Sequence, residues 1–209
     1  MSLVHSLPLA NRYILFRHGL AGSNVIQRLI CSSSQDSPEY GLTVDGKKNA
    51  RDSLKRFITS ELFHTHVSNI ECYIISSPLL RALETAQVLQ ETLLQDCNLS
   101  LPLRKDTRLI ERQYGKLEGE PEARWQEVYE NDLEHPEHAY AQGESLTTFL
   151  SRMENFFLEK ESETTNVTYL IVSHCDPIQA AQSLLSSPPQ SHYSENAPLE
   201  FAQWALLTS

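Results

Sequence analysis

The residues best suited to chemistry begin with Arg17-His18-Gly19. A neutral imidazole is a good nucleophile near pH 7, where most other side chains need activation. Arginine offers a planar fork of donors that matches phosphate oxygens, and glycine lets a ligand approach the backbone closely. Side by side, the three suit attack on a phosphoryl group; the plain alternative is a hydrogen-bonded structural histidine. Further along, Ser76-Ser77-Pro78 leads to Arg81, about one turn into a helix whose unpaired N–H groups already favour anions. The plain alternative there is a solvated face on which Arg81 pairs with Glu84. Val172-Ser173-His174 supplies a second histidine, and Leu109-Ile110-Glu111 a carboxylic acid. An acid beside a phosphate can protonate the leaving oxygen, although in so acidic a chain it can equally be a surface charge.

These residues need elements to bring them together. Tyr13 to Phe16 reads as a short buried strand that Gly19 and Gly22 end. Ala50, Leu54, Phe57 and Ile58 recur at helical spacing, with Thr43 as N-cap. Ile70 to Ser76 predicts a strand. Ser77-Pro78 then reads as a cap and first-turn proline for a helix over about 79–94. Residues 96–143 are less regular, with a short helix around Trp125, Val128 and Tyr129. Ser145 opens a helix with Leu146, Phe149, Leu150, Met153 and Phe157 on one face. Val167 to Ser173 is a further strand, Asp176-Pro177 starts another helix, and 199–207 is a last strand. Strands alternating with helices predict an α/β fold with a largely parallel sheet and helices on both faces. Ligands bind beyond the carboxyl ends of such strands. The turns at Arg17-His18-Gly19, Ser76-Ser77-Pro78 and Ser173-His174 can therefore meet at one place.

Composition excludes several classes. The 209 residues suggest one domain or one core with a small cap. A net charge of −10 argues against a nucleic-acid partner, so any phosphate site must be a local positive pocket in an acidic field. No run approaches the roughly 18 apolar residues of a membrane span, and the N-terminus lacks the pattern of a signal peptide. Asn98 and Asn166 sit in N-x-[ST] sequences that matter only in a secreted chain. Cys31, Cys72, Cys97 and Cys175 are scattered and read as reduced thiols, which fits the cytoplasm. No cysteine is followed six positions on by arginine, as the tyrosine-phosphatase pattern requires, and neither a P-loop nor a Gly-x-Ser-x-Gly elbow occurs. His64 with His66, and His135 with His138, lie in polar segments without further metal ligands and read as surface histidines. Cys175 beside His174 is discounted as a nucleophile pair, because successive strand side chains point to opposite faces.

Together these motifs resemble the histidine phosphatase superfamily, the phosphoglycerate-mutase-like group. The resemblance rests on Arg17-His18-Gly19 with Asn24, Leu42-Thr43 with Gly46, Ser77-Pro78 with Arg81-Ala82 and Glu84-Thr85-Ala86, Leu109 with Glu111, Gly115 and Gly119, Gly143-Glu144-Ser145, and Ser173-His174. It runs from Arg12 to about Ala180. It implies a three-layer α/β/α sandwich with a mostly parallel mixed sheet, formed by 1–209 as a single domain with about 112–143 as a cap-like insertion. It also implies roles. His18 would be the nucleophile, phosphorylated in turnover. Arg17, Arg81 and His174 would bind the phosphoryl oxygens, and Asn24 would add a hydrogen bond. Glu111 would protonate the leaving group and then activate water. No metal or other cofactor is implied. The chain departs from the family at Leu20-Ala21-Gly22-Ser23, where an acidic residue and Thr or Ser are frequent, so Ser23 is expected to contribute instead. It departs again at Cys175, where glycine is frequent and a backbone N–H is what the family uses.

A phosphatase and a mutase remain to be separated. The family's mutases carry a long basic insert between the acid and the second histidine. Here that span is shorter and rich in acid, from Glu118 and Glu120 to Glu134 and Glu137, which disfavours a second phosphate. Against this, Arg112, Tyr114 and Lys116 follow the acid as in a mutase, where they would grip a substrate carboxylate or second phosphate. The reading favours a metal-independent phosphomonoesterase acting on a small phosphorylated substrate, with a mutase and a non-catalytic phospho-ligand-binding module as alternatives. It leaves the oligomeric state open.

Overall fold

The computed structural model describes residues 9–32, 34, 36–68, 70–185 and 192–207. In chain order the elements are β1 (Arg12–Arg17), α1 (Gly22–Val25), α2 (Val44–Ile58), α3 (Glu61–His66), β2 (Cys72–Ser76), α4 (Leu80–Cys97), β3 (Leu103–Lys105), α5 (Trp125–Glu134), α6 (Leu146–Glu163), β4 (Thr168–Ser173), α7 (Cys175–Leu185) and β5 (Trp204–Leu207). The strands form one sheet in the order β3-β2-β4-β1-β5. Pairings among β1, β2, β3 and β4 are parallel, and β5 runs antiparallel along β1.

Strand alternation builds the layers. In β1, Tyr13 and Leu15 face one side and Ile14 and Phe16 the other. The first side packs on α6 and α7 through Phe149, Met153, Phe156, Phe157, Ile178 and Ala181. The second packs on α2, α3 and α4 through Leu54, Phe57, Phe63, Ala86, Leu89 and Leu93. Every residue of β4, the middle strand, is buried, as expected for a parallel strand covered on both faces. The result is the three-layer α/β/α sandwich. Each fully buried large apolar side chain contributes roughly 1.5–3 kcal/mol.

Helix starts follow side-chain chemistry, with two departures from expectation. Thr43 and Ser145 cap α2 and α6, each accepting a backbone N–H three residues on. Ser77-Pro78 does not cap α4, whose N-cap is Leu79. The Ser77 hydroxyl instead accepts the Leu79 N–H and meets His174. Asp176-Pro177 lies inside α7, which begins at Cys175. The short strand β3, with exposed Arg104 and Lys105, carries no apolar pattern that would announce it.

Candidate active site

Register sets the site. Arg17 pairs with Ser173 across β1 and β4, and Ser76 with Val172 across β2 and β4. The three strands therefore end together. The His18 N–H donates to the Ser173 carbonyl at 3.0 Å, and the Ser77 N–H to the Val172 carbonyl at 2.9 Å. His18 and His174 pack edge to face with ring centroids 5.0 Å apart.

His18 is 2% exposed. Its Nδ1 lies 2.8 Å from the Gly19 carbonyl oxygen. A carbonyl only accepts, so Nδ1 holds the proton and Nε2 keeps its lone pair. Nε2 accepts the Nε–H of Arg81 at 3.2 Å. Burial first, then the charges of Arg81 and Arg17, hold the His18 pKa well below 6.5, although its bond to Gly19 opposes this. His174 is lowered in the same way, by burial, Arg81 and His18. Both rings are neutral at neutral pH.

Around His18 lie polar atoms without partners. Arg17 donates from Nη1 to the Leu199 carbonyl at 2.6 Å and stacks its guanidinium on Phe201 at 4.4 Å, but its Nε is unpaired. Arg81 gives Nη2 to the Ile30 carbonyl at 2.9 Å, and its Nη1 is unpaired. Ser23 Oγ and His174 Nδ1 are likewise buried without a partner among the described residues. Buried polar atoms seldom lack partners. Four such atoms, three on side chains that line one cavity with His18 and one on the ring packed against it, leave polar capacity that an anion can take up. Asn24 lines the same cavity. Its amide oxygen accepts the Ala21 N–H at 3.2 Å, which leaves its NH2 as the donating end. Glu84 takes the Leu42 N–H and Lys47 rather than Arg81, so the arginine is free for the site.

The cavity, about 700 Å³, continues from His18 to Glu111. Glu111 Oε1 accepts the N–H groups of Arg112 at 3.2 Å and Asp176 at 3.3 Å. Burial and the neighbouring Asp176 carboxylate push its pKa up to about 8, against the pull of Arg81. Asp176, raised by its own burial, is held by the Tyr114 hydroxyl. Residues of the segment after Glu111, among them Pro121, Glu122, Trp125 and Gln126, form one wall, and Leu29, Ile30 and Cys31 another. The segment is fastened to the Leu29–Cys31 stretch by a small cluster with Tyr114, Leu117 and Val128.

Not all the expected residues reach this cavity. Arg112 is a correction: it is 1% exposed and spends its guanidinium on Asp132, the Glu144 carbonyl and Tyr193. Lys116 is exposed and does not line the cavity. Tyr114 does line it, with its hydroxyl committed to Asp176. Cys175 also lines it, with its thiol 3.5 Å from Gln179 Oε1 and its pKa pushed up to about 12 by burial, so it is no thiolate. All four cysteines are free. Among the described residues no three His, Cys, Asp or Glu side chains gather as a metal site would, and no helix is long and apolar enough to cross a membrane. Asp176 was not anticipated as a site residue. Its signal was present, a carboxylate two places after the second histidine, but it read as a helix cap.

A neutral imidazole that accepts from one guanidinium and shares its cavity with a second, beyond the carboxyl ends of a parallel sheet, is an arrangement able to hold an anion. The chain belongs to the histidine phosphatase superfamily (branch 1), whose family model matches residues 13–206. Among curated proteins it is 28% identical over 172 residues to an uncharacterized phosphatase, PhoE, of Bacillus subtilis (strain 168), covering 82% of this chain and 76% of that one. It is 29% identical over 174 residues to phosphoserine phosphatase 1 of Hydrogenobacter thermophilus, covering 81% and 73%. Among solved structures, YhfR of Bacillus stearothermophilus superposes with a TM-score of 0.71 at 25% identity, over 94% of this chain and 90% of that one. A mycobacterial glucosyl-3-phosphoglycerate phosphatase shares the fold, with a TM-score of 0.69 at 21% identity over 94% and 89%.

Proposed function

We propose that the chain is a metal-independent phosphomonoesterase that works through a phosphohistidine on His18. The observation that carries this reading is the His18 ring. Its Nδ1 proton is tied to Gly19, its Nε2 lone pair accepts the Arg81 Nε–H, and Arg17, Arg81 and Ser23 on the same cavity keep unpaired polar atoms. An entering phosphoryl group takes the Arg81 guanidinium and frees Nε2. Nε2 then attacks phosphorus, the bond to the leaving oxygen breaks, and the electron pair goes to that oxygen. Glu111, protonated through its raised pKa, supplies the proton. In the second step Glu111 takes a proton from water, whose oxygen attacks phosphorus, and the P–N electron pair returns to Nε2. Arg17, Arg81, His174, Ser23, Asn24 and the Cys175 N–H at the start of α7 hold the phosphoryl oxygens and stabilise charge in transfer. Residues of 112–143 close over the leaving group as a cap.

A mutase would need a second anion site in place of the water. Arg112 and Tyr114 are spent on Asp132 and Asp176, and Lys116 lies outside the cavity, which supports hydrolysis over transfer. A small phosphorylated metabolite suits the cavity's size. The test is p-nitrophenyl phosphate hydrolysis with EDTA present, wild type beside His18→Ala. The expected loss in the variant is at least about 1,000-fold in kcat. A strict magnesium requirement, or a fully active variant, contradicts the proposal.

A further inference from the structure

We propose that Asp132, acting through Arg112, is a positioning residue for Glu111; this rests on the reading of Glu111 as leaving-group acid. Arg112 follows Glu111 in the chain, and its N–H donates to Glu111 Oε1 at 3.2 Å. Its guanidinium is pinned from three sides. Nη1 and Nη2 grip the two Asp132 oxygens on α5, the Nη2 contact at 2.9 Å. Nη2 also reaches the Glu144 carbonyl at 3.0 Å, just before α6, and Nη1 the Tyr193 hydroxyl at 3.4 Å. Asp132 Oδ2 in turn lies 3.1 Å from His192 Nε2, and His192 Nδ1 lies 2.8 Å from Ser194 Oγ. Arg112, Asp132 and His192 are all buried.

A buried ion pair of this kind adds little stability, because desolvating two charges offsets their attraction. What a bidentate pair fixes is direction. It holds the Arg112 peptide, and that peptide holds the Glu111 carboxyl together with the Asp176 N–H. The same helix presents Trp125 and Gln126 to the cavity at its first turn and Asp132 near its last. At about 1.5 Å per residue the two ends are roughly 10 Å apart. The wall that meets the leaving group and the strut that aims the acid are thus one rigid element.

The experiment compares kcat/KM for an alkyl phosphate with kcat/KM for p-nitrophenyl phosphate. An alkoxide needs a proton to leave, whereas nitrophenolate departs as a stable anion. The ratio of the two cancels any change in the fraction of folded enzyme. Glu111→Gln sets the reference and is expected to lower the ratio about 100-fold. Asp132→Asn is expected to lower it about 10-fold. The double variant Arg112→Met with Asp132→Leu removes both charges together; the His192, Tyr193 and Glu144 groups it orphans cost stability, which the ratio cancels, and it is still expected to show the lowered ratio. A wild-type ratio in either Asp132 variant, with Glu111→Gln lowered, overturns the proposal. An unchanged ratio in Glu111→Gln overturns the acid reading and the proposal together.

Discussion

His18 and Glu111 share a cavity, and burial moves their pKa values in opposite directions. The histidine is driven neutral and keeps its lone pair well below pH 6.5. The carboxyl keeps its proton up to about pH 8. Each group thus stands in the protonation state that phosphoryl transfer requires across the neutral range. The sign gives a prediction. For an alkyl phosphate, whose leaving group needs the proton, kcat/KM reports the free enzyme, so it should hold on the acid side of neutrality and fall tenfold per pH unit above about 8, as Glu111 ionises. Glu111→Gln should lower kcat about 100-fold and erase that alkaline limb. A limb unchanged in the variant would assign the acid to another residue.

At the scale of elements, α1 carries Ser23 and Asn24 to the cavity, and Gly22 decides where it sits. A Cβ on Gly22 would lie 1.8 Å from the Glu39 carbonyl oxygen, which is backbone and cannot turn aside. Gly22→Ala should therefore push α1 off its seat. The expected outcome is a KM for p-nitrophenyl phosphate raised about 10-fold, with His18 still competent; steady-state kinetics checks it. What the sequence made legible at this scale was the run of strands with clear apolar or β-branched character and the helices with spaced apolar faces. The parallel sheet expected from that alternation brings the carboxyl ends of β1, β2 and β4 together, and with them Arg17, His18, Arg81 and His174. The 112–143 segment was not legible in the same way. Arg112 looked like a substrate ligand because its partners, Asp132, Tyr193 and Glu144, lie 20 to 81 residues away in sequence. Only tertiary packing reveals that its charge is already matched. β3 escaped because a short edge strand with two exposed cations has no alternation to detect.

For the whole molecule, the same buried groups tie stability to pH. His18 and His174 are depressed, so the stability they carry as neutral rings is present above pH 6.5 and lost as pH falls below it. Glu111 is raised, so its contribution is full below 4.5 and is lost as pH rises toward about 8. Each acts with a slope of about 1.4 kcal/mol per pH unit within its window. Differences between variants isolate the groups. Thermal unfolding of Glu111→Gln should gain on wild type as pH rises from 5 to 8, and His174→Gln should gain as pH falls from 7.5 to 5.5. A gap between variant and wild type that stays flat with pH would show that the group does not titrate differently on unfolding. With a net charge of −10, the pair of guanidinium groups lining the His18 cavity is a local exception in an acidic molecule.

The most direct measurement is to quench the enzyme during turnover of radiolabelled phosphate ester and count label on the denatured protein. Label that survives alkali, is released by acid and is absent from His18→Ala is what phosphoryl transfer to an imidazole nitrogen predicts. Steady turnover with no protein-bound label, undiminished in His18→Ala, would mean that water attacks the ester directly and that His18 is not the nucleophile.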